Sequence, residues 1–490
     1  MLLYFLLCAL LGVGLEKVKE NCGVVGVISR SKANAVPLVI DALRALQHRG
    51  QEAWGVAVPG KNPYKKLGLV IDAGQRELDL LTREYNSPIA IGHVRYSTAG
   101  RKDLESAQPL KVKDLCIAHN GTLSNIKELS GVVGGCTFTP QHASDTLIAA
   151  NKIVDHLRQK KGGFSKALKV LSDEMAGSYC FTFFSDNNDA VYAARDPRGF
   201  RPMVVGYRNN TQTYVVASES IALSAVQAGL VRNLQPGELL KIGYSEMKSE
   251  IFATADSHAH CSFEYTYFAH PGSVMEQISI YEARKRIGVG LAKKFPIPDA
   301  DVVIPVPDSA RLAAMGYAEA AGKPFDEGLL KDRYSKKGRF RSFIEPHKGD
   351  RVEINQWIIP IVQVFEGKHV VVIDDSLVRG TSSTEIVKAL RRGGARKISM
   401  LITFPPIEFP CFAGIDFPTQ EELAIFGSEA TLAEKVERVR KTIGVDFLGY
   451  NDPKTLAESI GMDVNSMCFT CATGNYSALG VTPKLTLGSS

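Results

Sequence analysis

Two adjacent carboxylates, Asp374 and Asp375, end a short apolar run in the stretch HVVVIDDSLVRGTSSTEIV. The apolar run predicts a strand, and the residues after the loop predict a helix. Neighbouring carboxylates at a strand end can bind a sugar diol or a magnesium pyrophosphate. Gly380 lets the backbone approach a phosphate closely, and the N–H groups at the start of the helix favour an anion. Hydroxyl side chains are offered by Thr381, Ser382, Ser383 and Thr384.

This loop differs from the Walker A phosphate loop, because the chain contains no G-x-x-x-x-G-K-[ST] motif. The alternative is an ordinary strand–turn–helix with an acidic turn. Paired aspartates followed by R-G-T-S favour a phosphate loop over that alternative. A second strand end, in IPVPDSA, places Ser309 where it could contact a pyrophosphate or a metal ion, although P-D-S is also a common turn.

A second candidate group is Cys22, which stands directly before the apolar run GVVGVIS. That run predicts a buried strand. If Cys22 is the first residue of the mature chain, its α-amino group, with a pKa of ~7.7–8, can act as general base for its own thiol. Residues 1–21 must then be removed, or never made. They are predicted to be a propeptide or the result of a mis-assigned start codon.

Three further stretches supply the groups that a thiolate attack on an amide needs. In HNGTL, the side chain of Asn120 and the backbone N–H of Gly121 can stabilise a tetrahedral oxyanion. Arg95 in GHVRYSTAG offers a fork for an α-carboxylate, and Asp145 in SDT can bind an α-amino group. Each motif is weak alone, since a lone cysteine is usually a small buried hydrophobe. Their joint occurrence in this order favours a catalytic site.

These groups need more than one core to hold them, because 490 residues exceed the size of an ordinary single core. The composition, with 45% hydrophobic and 22% charged residues, is that of a globular protein. The net charge of +6 comes without basic runs, so it favours a small anionic substrate over nucleic acid. The apolar stretch over residues 1–14 is too short to span a membrane and lacks signal-peptide features.

The pattern of elements changes along the chain. Short apolar runs bounded by turn residues predict a mostly β region after Cys22, interrupted by two helices around PLVIDALRALQHR and SDTLIAANKIVDHL. After about residue 280, strands alternate with helices, which predicts a parallel sheet. The predicted divisions are 1–21, 22–255, 256–476 and a tail over 477–490. The polar, basic stretch 330–366 predicts a mobile loop near a ligand.

The motifs NCGVVGV, ALQHRGQEAWG, IGHVRYSTAG, IAHNGTLSN and SDT resemble those of class II glutamine amidotransferases, which are N-terminal-nucleophile hydrolases. The loop VVVIDDSLVRGTSS resembles the signature of type I phosphoribosyltransferases. Their combination, over about residues 22 to 476, resembles the amidophosphoribosyltransferase family. The resemblance implies an α+β hydrolase domain of stacked antiparallel sheets with helices on their faces. An α/β phosphoribosyltransferase domain with a mostly parallel sheet would follow it.

By that resemblance, glutamine, phosphoribosyl pyrophosphate (PRPP) and water would give 5-phosphoribosylamine, glutamate and pyrophosphate, the first step of de novo purine synthesis. Cys22, Asn120 and Gly121 would be catalytic, and Arg95 and Asp145 would bind glutamine. Mg²⁺ would be held by Ser309, Asp374 and Asp375. The PRPP site would comprise Asp374, Asp375, Ser376, Arg379, Gly380, Thr381, Ser382 and Ser383. The resemblance also implies purine nucleotide inhibitors, a homo-oligomer and a cytoplasmic location, without nucleic-acid or membrane partners.

Four cysteines carry another expectation. Some family members hold a [4Fe–4S] cluster with cysteines in the sequence contexts of Cys261, Cys411, Cys468 and Cys471. Four thiolates suit an iron–sulfur cluster, with zinc as the runner-up and four unrelated buried thiols as the least favoured alternative. The remaining internal cysteines, Cys116, Cys136 and Cys180, are predicted to be core residues.

One segment departs from the family pattern and leaves a functional alternative open. Residues 351–366 read RVEINQWIIPIVQVFE, and no lysine stands between Lys348 and Lys368, where the family usually has a basic residue. The alternative is a divergent paralogue that acts mainly as a glutaminase or as a regulatory protein binding PRPP or nucleotides.

Overall fold

The structure is a computed structural model. It describes residues 22–96, 104–129, 131–133, 136–138, 144–159, 162–331, 358–415, 419–429 and 431–480. The segment 1–21 and most of the 330–366 loop, over which a propeptide and a mobile loop were predicted, lie outside those residues. Within the described part of the chain, no helix is both long and apolar enough to cross a membrane.

Antiparallel strands dominate the N-terminal half, residues 22–251. The strands of this half are β1 (Gly23–Ser29), β2 (Ala53–Ala57), β3 (Tyr64–Leu67), β4 (Ile89–Arg95), β5 (Leu110–Val112), β6 (Leu115–Leu123), β7 (Gly131–Val133), β8 (Cys136–Phe138), β9 (Gly177–Ser185), β10 (Ala190–Arg195), β11 (Val204–Arg208), β12 (Thr213–Ala217), β13 (Gly229–Asn233), β14 (Glu238–Gly243) and β15 (Met247–Ile251). Its helices are α1 (Val36–Ala45), α2 (Gln75–Glu84), α3 (Ile126–Leu129), α4 (Asp145–Gln159), α5 (Gly163–Glu174) and α6 (Ser220–Ala225).

Two sheets stack face to face in this half. One has the order β13-β11-β12-β1-β4-β2-β3 and the other β15-β14-β10-β9-β6-β5. Val24 and Ile28 of β1 pack between the sheets, whereas Val25 and Val27 point to the outer face, which α1 covers. Successive residues of a strand face opposite sides, so β1 is apolar from Gly23 to Ile28 because both of its sides are buried. The stacked antiparallel sheets with helices on their faces are confirmed.

The C-terminal half, residues 260–480, is built on a parallel sheet. Its strands are β16 (His260–Cys261), β17 (Val274–Met275), β18 (Ile278–Ser279), β19 (Val302–Pro305), β20 (Leu329–Lys331), β21 (Ile358–Pro360), β22 (His369–Asp374), β23 (Lys397–Ile402), β24 (Phe447–Tyr450) and β25 (Met467–Cys468). Its helices are α7 (Ile280–Lys294), α8 (Arg311–Ala321), α9 (Val362–Phe365), α10 (Thr381–Arg392), α11 (Leu432–Ile443), α12 (Pro453–Ile460) and α13 (Thr470–Thr473), with a π-helix over Glu264–Phe268.

The order β19-β22-β23-β24 places β22 inside the parallel sheet, flanked on both sides. Each strand is followed by a helix, and ligands of such sheets bind beyond the carboxyl ends of the strands. Asp374 ends β22 at that edge. Helix α10 buries Ile386, Val387 and Leu390 against the sheet, and this contact fixes the loop between them. The α/β phosphoribosyltransferase-like half predicted from the alternating pattern is confirmed.

Both helices predicted for the N-terminal half form, as α1 and α4, but the prediction missed others. Helices α2 and α5 also form there, together with the short α3 and α6. Helix α2 buries only Leu78 and Leu81 among ten residues, and a strip of two apolar positions gives little periodic signal. The additional helices extend the helical layers that cover the two sheets.

Candidate active site

Cys22 lies directly before β1 and is partly buried. Its Sγ donates a hydrogen bond to the carbonyl oxygen of Tyr96 at 3.6 Å. Burial raises the pKa of the Cys22 thiol above its ordinary value, while the Tyr96 contact and the charge of Arg95 act in the opposite direction. The thiol is therefore protonated at neutral pH, and a base must remove its proton before it can act as a nucleophile.

The pairing of β1 with β4 places Arg95 next to Cys22. Strand β1 pairs with β4 so that Gly23 is opposite Val94, and the next pair in that register is Cys22 with Arg95. The residue is only 7% exposed. A buried guanidinium beside the thiol is suited to bind a carboxylate by two parallel hydrogen bonds.

Asn120 and Gly121 lie on β6 of the second sheet. The Asn120 side chain is fully buried, and its Nδ2 donates to the Ser218 hydroxyl at 3.4 Å. The same hydroxyl accepts from the backbone N–H of Val24 at 3.0 Å. Ser218 therefore links the two sheets at Val24, which is two residues after Cys22. Asn120 Oδ1 has no hydrogen-bond partner among the residues that the structure describes. The side chain that was predicted to stabilise the oxyanion is thus close to the start of β1.

Gly121 has a φ of +145°, and a Cβ atom there would lie 2.2 Å from the carbonyl oxygen of Ser178. L-residues with a side chain rarely adopt this φ. Position 121 therefore requires glycine for two reasons, its backbone conformation and the close approach of β9.

Asp145 begins α4 and accepts hydrogen bonds from the N–H groups of Leu123 at 3.1 Å and Thr146 at 2.7 Å. The Nδ1 atom of His119 lies 3.6 Å from its Oδ2. Burial alone would raise the pKa of Asp145, but the His119 interactions and the two backbone hydrogen bonds lower it below its usual value. The carboxyl group is therefore ionised at neutral pH. Its charge also acts on the Cys22 thiol, which places it within electrostatic range of that group.

In the C-terminal half, Asp374 ends β22 and Asp375 follows it, and the two residues are only 7% and 6% exposed. The Ser309 hydroxyl donates to Asp375 Oδ2, and the Ser376 hydroxyl donates to Asp375 Oδ1 at 2.7 Å. The two strand ends that were singled out separately in the sequence, at β19 and β22, therefore meet in one place. Oxygen atoms from carboxylates and hydroxyls are the ligands that Mg²⁺ prefers.

The loop after the aspartates turns into α10 at Gly380, whose φ is +79°. Backbone N–H groups in the first turn of a helix have no intrahelical acceptor and face an anion readily. Thr381 is exposed and Ser382 partly so, whereas Ser383 is buried and Thr384 turns its hydroxyl back to the Gly380 carbonyl. The hydroxyls nearest the loop are thus the ones turned to solvent.

Arg379 makes an ion pair with Glu422, with 3.1 Å between its Nε and the carboxylate. This contact ties the phosphate loop to the segment after residue 419. The prediction that Arg379 contacts PRPP stays a prediction.

The four cysteines proposed as cluster ligands come together where β16 pairs with β25. Cys261 is opposite Cys468 in that pair, and Cys411 and Cys471 pack in the same apolar cluster. Burial raises the pKa of the Cys471 thiol well above its ordinary value, and the charges of the three other thiols raise it further. In the described part of the chain, no three His, Cys, Asp or Glu side chains converge on one position suited to a single ion. Cys116 and Cys180 are buried in the N-terminal core as predicted, and Cys136 lies in β8.

Several residues near the thiol were not predicted. Arg49 Nε donates to the carbonyl oxygen of Cys22 at 3.1 Å, and Ser218 and His119 support Asn120 and Asp145. Arg49 stands in the motif ALQHRGQEAWG, which was a usable signal. Ser218 is 98 residues from Asn120, and no local pattern connects them.

Comparisons with known proteins agree with this geometry. A family model described as a glutamine amidotransferase domain matches residues 93–225. The chain is 38% identical over 480 residues to the amidophosphoribosyltransferase of Methanocaldococcus jannaschii, with 93% of this chain and 97% of the relative covered. It is 37% identical over 478 residues to the amidophosphoribosyltransferase of Bacillus subtilis, with 94% and 95% covered.

A solved structure also matches. It is the glutamine PRPP amidotransferase from Bacillus subtilis complexed with ADP and GMP, with a TM-score of 0.79 and 36% identity, covering 93% of this chain and 97% of that one. The match spans both halves of the chain. A regulatory protein or a glutaminase alone finds no support in these relatives.

Proposed function

The chain belongs to the amidophosphoribosyltransferase family, and from this premise we propose how its residues divide the reaction. The enzyme makes 5-phosphoribosylamine, glutamate and pyrophosphate from PRPP, glutamine and water, the first step of de novo purine biosynthesis. The N-terminal half releases ammonia from glutamine, and the C-terminal half transfers it to the ribose.

In the N-terminal half, Cys22 is the nucleophile. Its thiol proton passes to the Cys22 α-amino group, once that residue is the first of the chain, and the sulfur attacks the amide carbon of glutamine. Asn120 Nδ2 and the Gly121 N–H stabilise the oxyanion. Arg95 binds the α-carboxylate and Asp145 the α-amino group. Ammonia leaves, and water then hydrolyses the thioester to glutamate and restores the thiol.

In the C-terminal half, ammonia attacks C1 of the ribose and pyrophosphate leaves. Asp374 and Asp375 hold the ribose hydroxyls, and the loop from Ser376 to Ser383 holds the 5′-phosphate at the start of α10. Ser309, Asp374 and Asp375 would hold Mg²⁺, which supplies charge neutralisation for the departing pyrophosphate when it is bound. Support for this site comes from the convergence of Ser309 on Asp375.

A [4Fe–4S] cluster on Cys261, Cys411, Cys468 and Cys471 forms part of the proposal. A four-iron cluster is larger than one ion, so its ligands need not converge on a single point. Four thiols that lie within electrostatic range of one another, two of them buried and two partly buried, suit such a cluster. When bound, it would pin the C-terminal segment that carries β25 to the start of the C-terminal half.

The proposal extends to regulation and assembly. The Bacillus subtilis structure is complexed with ADP and GMP, and we propose that purine nucleotides bind and inhibit this enzyme. A homo-oligomer and a cytoplasmic location complete the proposal.

The observation that supports the residue assignment is the meeting of Cys22, Arg95 and the Asn120–Gly121 segment of β6 around the start of β1, on strands that are far apart in sequence. Two substitutions test it. Cys22→Ala should abolish glutamine-dependent synthesis but keep synthesis from PRPP and ammonium chloride. Asp374→Asn should abolish both syntheses and keep any basal glutaminase activity.

Pyrophosphate and glutamate are measured in the same samples, with Cys116→Ala as the matched control, since that cysteine is a core residue of the same half. Glutamine-dependent synthesis that survives Cys22→Ala contradicts the nucleophile assignment. PRPP-dependent synthesis that survives Asp374→Asn contradicts the assignment of the PRPP site.

A further inference from the structure

Four charged side chains lie buried where the two halves of the chain meet. They are two arginines and two glutamates, each at most 1% exposed: Arg49, Arg201, Glu219 and Glu264. We refer to these four residues as the buried ion array. Three of them come from the N-terminal half, and Glu264 comes from the π-helix of the C-terminal half.

Arg49 is the centre of the array. Its Nη1 donates to Glu219 Oε1 at 2.5 Å and to Glu264 Oε2 at 2.9 Å, and its Nη2 donates to Glu264 Oε1 at 2.7 Å. Its remaining nitrogen, Nε, donates to the carbonyl oxygen of Cys22 at 3.1 Å. The two carboxylates therefore fix the guanidinium plane, and that plane fixes the peptide between Cys22 and Gly23.

Further contacts tie the array to the C-terminal half. Glu219 Oε2 accepts from the N–H of His270 at 2.8 Å and from the Ser273 hydroxyl at 2.7 Å. Arg201 Nη1 donates to Glu264 Oε1 at 3.1 Å, and its Nη2 donates to the Ala413 carbonyl. The start of the C-terminal half and the loop that carries Cys411 thus meet at one point.

The turn that carries Glu264 is itself held from the side of the PRPP loop. Arg284 of α7 donates to the carbonyl oxygens of Tyr265 at 3.0 Å, Tyr267 at 2.7 Å and Ala269 at 2.8 Å. Burial lowers the pKa of Arg284 to about 10, and the charge of Asp375 acts in the opposite direction. Hydrogen bonds therefore lead from Arg284, through the turn that carries Glu264 and through Arg49, to Cys22.

A buried array of this kind is a weak source of stability, because desolvation of the charges offsets much of their attraction. Apolar side chains would join the two halves at least as well. The hydrogen bond from Arg49 to the nucleophile residue is what an apolar junction could not provide.

We propose that Glu264 is a positioning residue for the glutaminase reaction, supplied by the other half of the enzyme. It holds Arg49 against the Cys22 carbonyl oxygen and so aims the thiol at the substrate amide, in front of Asn120 and Gly121. This inference rests on the proposed role of Cys22. It makes the glutaminase site incomplete without the C-terminal half.

The test substitutes Glu264→Gln, which keeps the length of the side chain and removes its charge. Glutamine-dependent synthesis should fall on the order of 10- to 100-fold, because small displacements of a reacting group have effects of this size. The loss should be in kcat, with the KM for glutamine within about threefold, since Arg95 and Asp145 bind the substrate. Synthesis from ammonium chloride should stay within about twofold of the rate of the parent chain. The rate at which iodoacetamide alkylates Cys22 should differ from that of the parent chain, because the thiol is no longer held in the same position.

The matched control is Glu276→Gln. Glu276 also joins the two halves through a buried arginine, at 2.7 Å from Arg195, but it does not contact Arg49. It should leave glutamine-dependent synthesis within about twofold. Intact mass checks that Cys22 is the first residue in each variant. If Glu264→Gln does not fold, Glu264→Asp keeps the charge, shortens the reach to Arg49 and should show the same loss in kcat.

Three results would overturn the inference. They are unchanged glutamine-dependent synthesis in the Glu264 variants, an equal loss in the Glu276 control, or a parallel loss of ammonia-dependent synthesis. Failure of the proposed function is distinguishable, because it appears as glutamine-dependent synthesis in Cys22→Ala and does not involve Glu264.

Discussion

At the scale of single residues, the candidate glutaminase site depends on positions where the backbone admits one residue type. Gly121 is such a position, because its φ of +145° and the Ser178 carbonyl leave no room for a side chain. The same conformation sets the direction of the Gly121 N–H, which we propose donates a hydrogen bond to the oxyanion. Sequence motifs could identify Cys22, Asn120 and Gly121, since each stands in a short recognisable stretch. They could not identify Glu219 and Glu264, whose partner Arg49 is 170 and 215 residues away.

Gly121→Ala should therefore displace the backbone N–H and sharply lower the glutamine-dependent kcat. Losing one oxyanion donor costs about 10²–10³ in kcat, and the strained φ should lower the free energy of unfolding by about 1–3 kcal/mol. Glutamine-dependent and ammonia-dependent synthesis are measured together with urea denaturation. Gly60→Ala is the control, because its φ is +76° but no atom lies within 4 Å of an added Cβ. Normal glutamine-dependent kcat in Gly121→Ala would contradict the oxyanion assignment.

His93 leads to a prediction about how the free energy of unfolding depends on pH. It is fully buried in β4, where it bonds to the His119 carbonyl at 3.1 Å, and burial lowers its pKa to about 3. An unfolded histidine has a pKa of about 6.5, so below that pH the unfolded state binds a proton that the folded state does not. The contribution of His93 to the free energy of unfolding is thus fully present above about pH 6.5 and is lost as the pH decreases towards 3. At pH 5 the His93 contribution amounts to a loss of about 2 kcal/mol relative to pH 7.

His93→Gln should reduce this difference between pH 7 and pH 5 by about that amount, whatever its effect at pH 7. Urea unfolding at the two pH values measures it. The exposed His258 provides the control, and His258→Gln should leave the difference unchanged. The same pH sensitivity in His93→Gln and the parent chain would show that His93 is protonated in the folded state.

At the scale of elements, the sequence predicted those whose apolar pattern is strong. Strands β1 and β22 each contain a run of apolar residues because both of their faces are buried, and each run stands close to a predicted site residue. Helix α2 was missed, since it buries two leucines among polar residues. The parallel pair of β16 and β25 was also beyond prediction, because two-residue strands more than 200 residues apart have no local pattern.

The pairing of β16 with β25 brings Cys261 opposite Cys468 and leads to a prediction about the proposed iron–sulfur cluster. Protein purified without oxygen should contain about four iron atoms and about four sulfide ions per chain, and Cys468→Ser should lose most of both, because each iron needs its thiolate. Iron and acid-labile sulfide are measured, with Cys116→Ala as a control that should retain them. One zinc ion and no iron would favour the zinc alternative. Neither metal would mean that the four thiols are merely buried.

At the scale of the whole molecule, the two halves have separate cores and separate chemistry, but they share a junction of buried charges. The sequence predicted both halves because each carries its own motif. It could not predict how they meet, since the junction depends on contacts between distant segments. We expect the two sites to act together, so that this one chain couples glutamine hydrolysis to PRPP consumption.

The most direct test measures glutamate and pyrophosphate in the same tube, from protein purified without oxygen, with and without PRPP and Mg²⁺. We expect the two products to appear together in equal amounts and glutamate release to depend on PRPP. Glutamate formed at the same rate without PRPP, with no pyrophosphate when PRPP is present, would show that the chain does not couple the two reactions.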